Sequence, residues 1–375
     1  MMREREKLKK EISITGTAFS LMSIFMLALI LKNSKVAVDY MSAGMKLCTT
    51  TVIPSLFPFM VISELIVKSG AATSLGALIS PLTSRLFGVG GECGSVFLLG
   101  TLCGFPVGTR SGVSLLREGR ITKDELRRVI CFSNNPSSAF VISAVGGSLF
   151  GSRELGCALY VITLLSALLV GIIKNVIERK GSVVECKARR AKLGSLSASV
   201  FTDAVSSSAL AMLTVCAFVV FFSTFVGVLG GALDALGAPE EVRAILFSLF
   251  EMTSGVSAAS GLRSEAGIVI CAFALGFSGL SVHLQIASLC DGTGVPLSGY
   301  FLSKFFQGLL NALLAFVYVK LFYSRLDFDF ESVTAFGDLG SSAYGALASV
   351  AFFASVCILL VKRKKELLQK AKAPK

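Results

Sequence analysis

At 375 residues, with 53% hydrophobic side chains against 16% charged ones, the chain is too apolar for a soluble globular protein, in which about a quarter of residues are charged. A formal charge of +12 would suit nucleic acid, but the Lys and Arg residues sit in short loops between apolar runs, the distribution expected beside anionic lipid. The bilayer is therefore the expected partner, and nucleic acid is not. With 1 histidine in the whole chain there is no material for a His-based metal site or a Ser-His-Asp triad. The 10 cysteines lack metal or disulfide spacing. All but Cys186 lie in or beside apolar runs, where Cys acts as a small hydrophobe. No metal, no cofactor and no enzymatic chemistry is expected.

The chain opens with the basic stretch Met1–Lys10 and the charge-free run Ile12–Leu31. That is the layout of a signal sequence, but the run is longer than a usual h-region and no small-x-small site follows, so an uncleaved first helix is expected. Val129–Ser152, Leu155–Ile173, Ala204–Leu233 and Leu339–Val361 are also free of Asp, Glu, Lys and Arg. At about 1.5 Å per residue each can cross roughly 30 Å of hydrocarbon. Leu47–Ser63, Ser69–Ser84, Cys93–Thr109, Ala266–Val282 and Phe305–Val319 are shorter and span poorly, or not at all, as single helices. The predicted fold is an all-α polytopic membrane protein of two related repeats, the second inverted, with re-entrant or discontinuous helices. Its predicted parts are a basic segment and first helix (1–40), a first repeat (41–180), a basic cytoplasmic linker (181–199), a second repeat with the last transmembrane helix (200–361), and a basic tail (362–375).

Basic clusters at Arg3–Lys10, Arg117–Arg128 and Arg179–Lys192 agree with a cytoplasmic N-terminus. Leu47–Lys68 then returns to the cytoplasm, and Val129–Gly151 with Leu155–Ile177 make a pair that begins and ends there. Cys93–Leu116 carries Gly100, Gly104, Gly108 and Gly112 at intervals of four, with Pro106 and Arg110 embedded. Proline removes a backbone donor and glycine weakens a helix, so a break is expected here. Gly104-Phe105-Pro106 aligns with Gly276-Phe277-Ser278, 172 residues further on. Elsewhere the halves match only in pattern: helix, short apolar segment, Gly-Phe break, loop, helix. An odd number of crossings per half inverts the second and puts the C-terminus outside, whereas the basic tail Lys362–Lys375 favours the cytoplasm. One more crossing within Val242–Val282 would reconcile the two signals.

Four groups of residues could carry function. At the first break, Gly104, Gly108, Thr109 and Arg110 offer helix N–H groups and a guanidinium suited to a carboxylate; packing through small residues is the competing reading. Ser133, Asn134 and Asn135 put polar groups where the run should be apolar, either as helix glue or as the lining of a wet cavity. At the second break, Ser278, Ser281, His283 and Gln285 are neutral donors and acceptors, with Gln307 completing the polar set. Glu64, Glu251 and Lys304 are intramembrane charges, each costing ~2.5–3.5 kcal/mol at the bilayer centre, and are candidates for ion or proton coupling.

Val52-Ile53-Pro54-Ser55-Leu56-Phe57-Pro58-Phe59, the Gly104-Phe105-Pro106-x-Gly108 break, Phe132-Ser133-Asn134-Asn135 and Gly276-Phe277-Ser278-Gly279-Leu280-Ser281-Val282 together resemble the sporulation integral membrane protein YlbJ family, among proteins with nucleoside-recognition or Gate domains. The resemblance runs from about Ser42 to Val319. It implies a role in endospore formation, in which dipicolinic acid leaves the mother cell across the outer forespore membrane, and it makes both repeats Gate-like. It assigns no binding residue. A secondary transporter of a small organic anion is the leading expectation. A non-transporting scaffold for spore-envelope assembly, a nucleoside-type transporter and a membrane-embedded enzyme are the alternatives. No Gly-x-x-x-x-Gly-Lys-[Ser/Thr] loop is present, so transport would run on a gradient.

Overall fold

The computed structural model describes residues 23–178 and 197–322, with Thr17, Ser20 and Leu21 ahead of them. Among the described residues all regular structure is helical. In chain order the elements are α1 (Ser23–Lys32), α2 (Ser34–Leu47), α3 (Ile53–Lys68), α4 (Ala71–Phe87), α5 (Gly91–Cys103), α6 (Val107–Arg117), α7 (Lys123–Ser133), α8 (Arg153–Glu178), α9 (Ala198–Ala235), α10 (Glu240–Phe250), α11 (Met252–Gly261), α12 (Glu265–Phe277), α13 (Gly279–Cys290) and α14 (Ser298–Phe322). Two π-helical stretches, Cys48–Val52 and Phe140–Leu149, join α2 to α3 and precede α8. The first has a local cause. The Thr49 and Thr50 hydroxyls bond back to the carbonyls of Met45 (3.2 Å) and Lys46 (2.8 Å), and Pro54 and Pro58 each lack the donor of a regular helix. A wider turn carries the chain past these faults.

Among the described residues four stretches are long and apolar enough to cross a membrane: α8, α9, the α12–α13 run Glu265–Cys290, and α14 to Leu321. A fifth counts if α3 and α4, bent by 90° at Ser69-Gly70, share one crossing. Gly70 takes a φ of 80° at this corner, open to glycine without strain. The chain is a multi-pass integral membrane protein. α14 shows how such a helix sorts its faces. Leu302, Phe305, Phe306, Leu309, Leu313 and Phe316 are exposed toward the lipid side, while Tyr300, Lys304, Gln307, Asn311, Ala315 and Val319 are buried at helical spacing.

Three of the charge-free runs differ in the structure. Val129–Ser152 is not one helix: α7 stops at Ser133, residues 134–137 are non-helical, and a short π-helical segment follows. Pro136 and the two asparagines before it prevent α7 from continuing. Ala266–Val282 stops at the neutral His283, whereas the run free of Asp, Glu, Lys and Arg continues to Cys290, and one α12–α13 stretch of 26 residues covers it from Glu265 to Cys290. Ile12–Leu31 is described from Ser23 onward as the short α1, and Leu339–Val361, the basic tail and most of the linker lie outside the described residues.

The interior has three apolar clusters, one around α5, α7 and α13, one around the second π-helical stretch with α8 and α10–α12, and one around α3 and α9. Phe105, at the first break, packs against the first two of these. At the polar boundary Arg127 pairs with Glu178 (2.8 Å), Arg128 with Asp124 (2.9 Å) and Lys174 with Glu178 (3.1 Å), so α7 and the end of α8 are tied together by charge.

Candidate functional site

The polar centre of the molecule is made where α7 ends. Thr122 and Glu125 form a capping box that starts α7. At its other end the side-chain amides of Asn134 and Asn135 donate to the carbonyls of Ile130 (2.9 Å) and Phe132 (2.9 Å). These amides replace the N–H groups that another helical turn would have supplied. Both residues are fully buried, and their remaining groups reach outward into two other elements.

The first is the Gly104 break. The Thr109 hydroxyl (2.9 Å) and backbone N–H (3.3 Å) both donate to Asn134 Oδ1, and the Phe105 N–H donates to the Asn135 carbonyl (2.8 Å). Such closeness requires glycine. A Cβ on Gly100 would lie 2.1 Å from the Ser133 carbonyl oxygen, one on Gly108 would lie 2.9 Å from Gly100 Cα, and one on Gly104 would lie 2.7 Å from the Ser137 nitrogen. The glycine ladder is thus a contact surface on which α5, α6 and the 133–137 segment meet.

The second is α14. Lys304 Nζ donates to the Asn134 carbonyl (2.7 Å) and to Gln307 Oε1 (2.7 Å), and Gln307 Nε2 donates to Asn135 Oδ1 (2.8 Å). α8 joins through Gln307, which also donates to the Thr163 carbonyl (3.4 Å). The chain of bonds continues to Asn311, which donates to the Thr163 hydroxyl (3.2 Å) and the Ala272 carbonyl (3.0 Å) and accepts from Ser166. Thr163, Ser166 and Asn311 escape a search by segment. Their signal is spacing: Lys304, Gln307 and Asn311 fall on one helical face, opposite Thr163 and Ser166 three apart on another apolar helix.

The other candidates are placed differently. Arg110 is turned away from Asn134. It lies 3.4 Å from Glu64 on α3 and donates to the Ser207 hydroxyl on α9 (2.7 Å). Glu64 also approaches Lys68 at 3.9 Å. Glu251 caps α11, accepting from the backbone N–H groups of Thr253 (3.1 Å) and Ser254 (2.7 Å) and from the Thr253 hydroxyl. At the second break Ser278 and Gly279 both have a φ of 74°, and a Cβ on Gly279 would lie 3.0 Å from the Met252 nitrogen. Ser278 donates to the Leu275 carbonyl (3.4 Å), and Ser281 accepts from Gln285 (3.3 Å). His283 is buried among rings, stacked on Phe301 at 5.3 Å with Phe277 at 4.7 Å and Tyr300 at 5.4 Å. The structure therefore brings Gly104, Gly108, Thr109, Ser133, Asn134, Asn135, Lys304 and Gln307 into one network. It sets the Arg110–Glu64 pair, Glu251 and the Ser281–Gln285 pair in separate bonds, and places His283 on α13, its ring against Tyr300 and Phe301, which lie on α14 about one turn before Lys304.

The chain is similar to the sporulation integral membrane protein YlbJ of Bacillus subtilis (strain 168), with 28% identity over 357 residues covering 85% of this chain and 86% of that protein. No protein-family model matches the chain, and no solved structure does.

Proposed function

We propose that this protein is a secondary transporter of a small organic anion, and that in a sporulating cell the anion is dipicolinate, moved across the outer forespore membrane. The similarity to a sporulation integral membrane protein supports the cellular setting. The single observation that carries the transport reading is the buried hydrogen bond from Gln307 to Asn135, beside which a lysine, a threonine and a helix break converge. Backbone that leaves the helix within the membrane is tolerated where protein or a water-filled path satisfies it, and transporters place substrate at such discontinuities. An ionisable side chain held between apolar helices, as Lys304 is here, marks a functional site by default.

The test is uptake of radiolabelled dipicolinate by proteoliposomes containing the full chain. Flux that exceeds that of empty liposomes, and falls with Asn135→Ala and with Gln307→Ala, is expected. A folded wild-type protein that carries no dipicolinate would refute the reading and leave a scaffold role in its place.

A further inference from the structure

Four charged residues are buried in the described part of the chain: Glu64, Arg110, Glu251 and Lys304. Three have opposite charge at hand. Glu64 and Arg110 neutralise each other at 3.4 Å. Glu251 sits on the first amides of α11, where the helix end is partly positive. Lys304 differs. Its ammonium is fully buried, and its partners are the Asn134 carbonyl and the Gln307 amide oxygen, both neutral. Among the described residues no carboxylate pairs with it. An ammonium has three donors, of which these bonds use two. A charge taken out of water with neither counter-ion nor full hydrogen bonding is held at high cost, so a site that keeps one suits a ligand of opposite sign.

We infer that Lys304, and not Arg110, is the charge that recognises the anion, with the carboxylate of the ligand completing a site floored by Asn134, Asn135 and Gln307. The inference rests on the anion-transport reading above and specifies its binding residue. The guanidinium at the first break already has a carboxylate, and an incoming anion would compete with Glu64 for it. The ammonium on α14 has no such competitor. The amides and Thr109 around it are hydrogen-bonded in neutral pairs, so they fix the position of the ammonium without cancelling its charge.

The experiment is thermal unfolding of the full chain in detergent, titrated with acetate, benzoate, succinate and dipicolinate, each compared with its neutral amide. At least one carboxylate is expected to raise the midpoint while its amide does not. Lys304→Met should weaken that protection by roughly 10- to 100-fold, the range of a lost charge-assisted hydrogen bond. Lys304→Gln keeps a donor toward Asn134 without the charge, and should lose protection equally if Lys304→Met proves too unstable to assay. Protection that survives both variants and disappears in the Arg110→Gln, Glu64→Gln double variant would move the site to Arg110 and overturn the inference. Absence of protection by any carboxylate would overturn it too. Protection by benzoate but not dipicolinate, dependent on Lys304, would refute dipicolinate as substrate and leave the inference standing.

Discussion

Gly100→Ala is the sharpest test of the claim that the first glycine ladder exists to let backbones touch. The added methyl carbon would stand 2.1 Å from the Ser133 carbonyl oxygen and 3.0 Å from Gly108 Cα, and both obstacles are main chain. Relief requires α5 to move away from the end of α7 by on the order of 1 Å, since no flexible side chain can yield instead. Overpacking of this kind costs ~1–3 kcal/mol, offset by about 1 kcal/mol that alanine gains over glycine in a helix, for a net loss of up to roughly 2 kcal/mol. Ser133 precedes Asn134, so the displacement also strains the 2.9 Å bond from Thr109 and the 2.7 Å bond from Lys304. Gly231→Ala is the control, because nothing lies within 4 Å of its added carbon and α9 should gain from it. Unfolding can be followed with a thiol-reactive dye, the reporters being the buried Cys48, Cys93, Cys103, Cys131, Cys216, Cys271 and Cys290. If Gly100→Ala melts no lower than Gly231→Ala and dipicolinate flux is unchanged, the close-contact account of the ladder is wrong.

Three further outcomes follow from the same geometry. A double-mutant cycle of Asn135→Ala and Gln307→Ala should show a coupling of about 0.6–1.7 kcal/mol in unfolding, as for hydrogen bonds between membrane helices; additive losses would deny the bond. Glu64→Gln alone should destabilise by ~3–5 kcal/mol by leaving Arg110 buried without a carboxylate, and the Glu64→Gln, Arg110→Gln double variant should recover part of that in the same melting assay. Glu251→Ala should cost about 0.5–2 kcal/mol through loss of the α11 cap, while dipicolinate uptake per folded molecule stays within twofold of wild type; a folded variant without uptake would make Glu251 part of the transport path.

The class of the protein was legible from charge-free runs alone, because bilayer thickness sets a minimum length that few soluble segments meet. The Gly104 break was legible for a similar reason: proline and spaced glycines have few uses inside an apolar run. Val129–Ser152 misled. Asn, Ser and Pro carry no formal charge, so a count of charged residues passes over Asn134-Asn135-Pro136, although those residues end α7. The opposite error affected Ala266–Val282, a charge-free run cut at His283 although that residue is neutral. Ser278 and Gly279 do interrupt the helix, yet the apolar stretch runs on to Cys290. Arg110 stood out in the sequence as the cation beside a break, and nothing in one dimension pairs it with Glu64, 46 positions earlier on α3. Lys304 was visible as an intramembrane charge. Its lack of a counter-ion was not, since that depends on which residues surround it.

The meeting of Asn135 with Gln307 says more about the two halves than either break does. The two residues are 172 positions apart, the same offset that carries Gly104 onto Gly276. The relation extends to their surroundings: a Cβ on Gly104 would strike Ser137, just past Asn135, and one on Gly276 would lie 2.8 Å from the Gln307 carbonyl and from Asn311. Each break therefore rests on a segment that follows it in the chain, and amides of those two segments, Asn135 and Gln307, touch each other. At that junction the two segments differ in charge. The position matching Lys304 is Phe132, whose ring packs 4.3 Å from Phe87 and 5.6 Å from Phe97. One half thus contributes an aromatic cluster and the other a cation. In the transport reading, a rearrangement that opens the centre exchanges the bonds from Lys304, Gln307 and Asn311 to α7 and α8 together with the Arg110–Ser207 bond, while each break stays braced by the segment that follows it. An anion arriving at Lys304 would then act on the contacts that hold the halves together, which is where binding energy has to be applied to shift a two-state equilibrium.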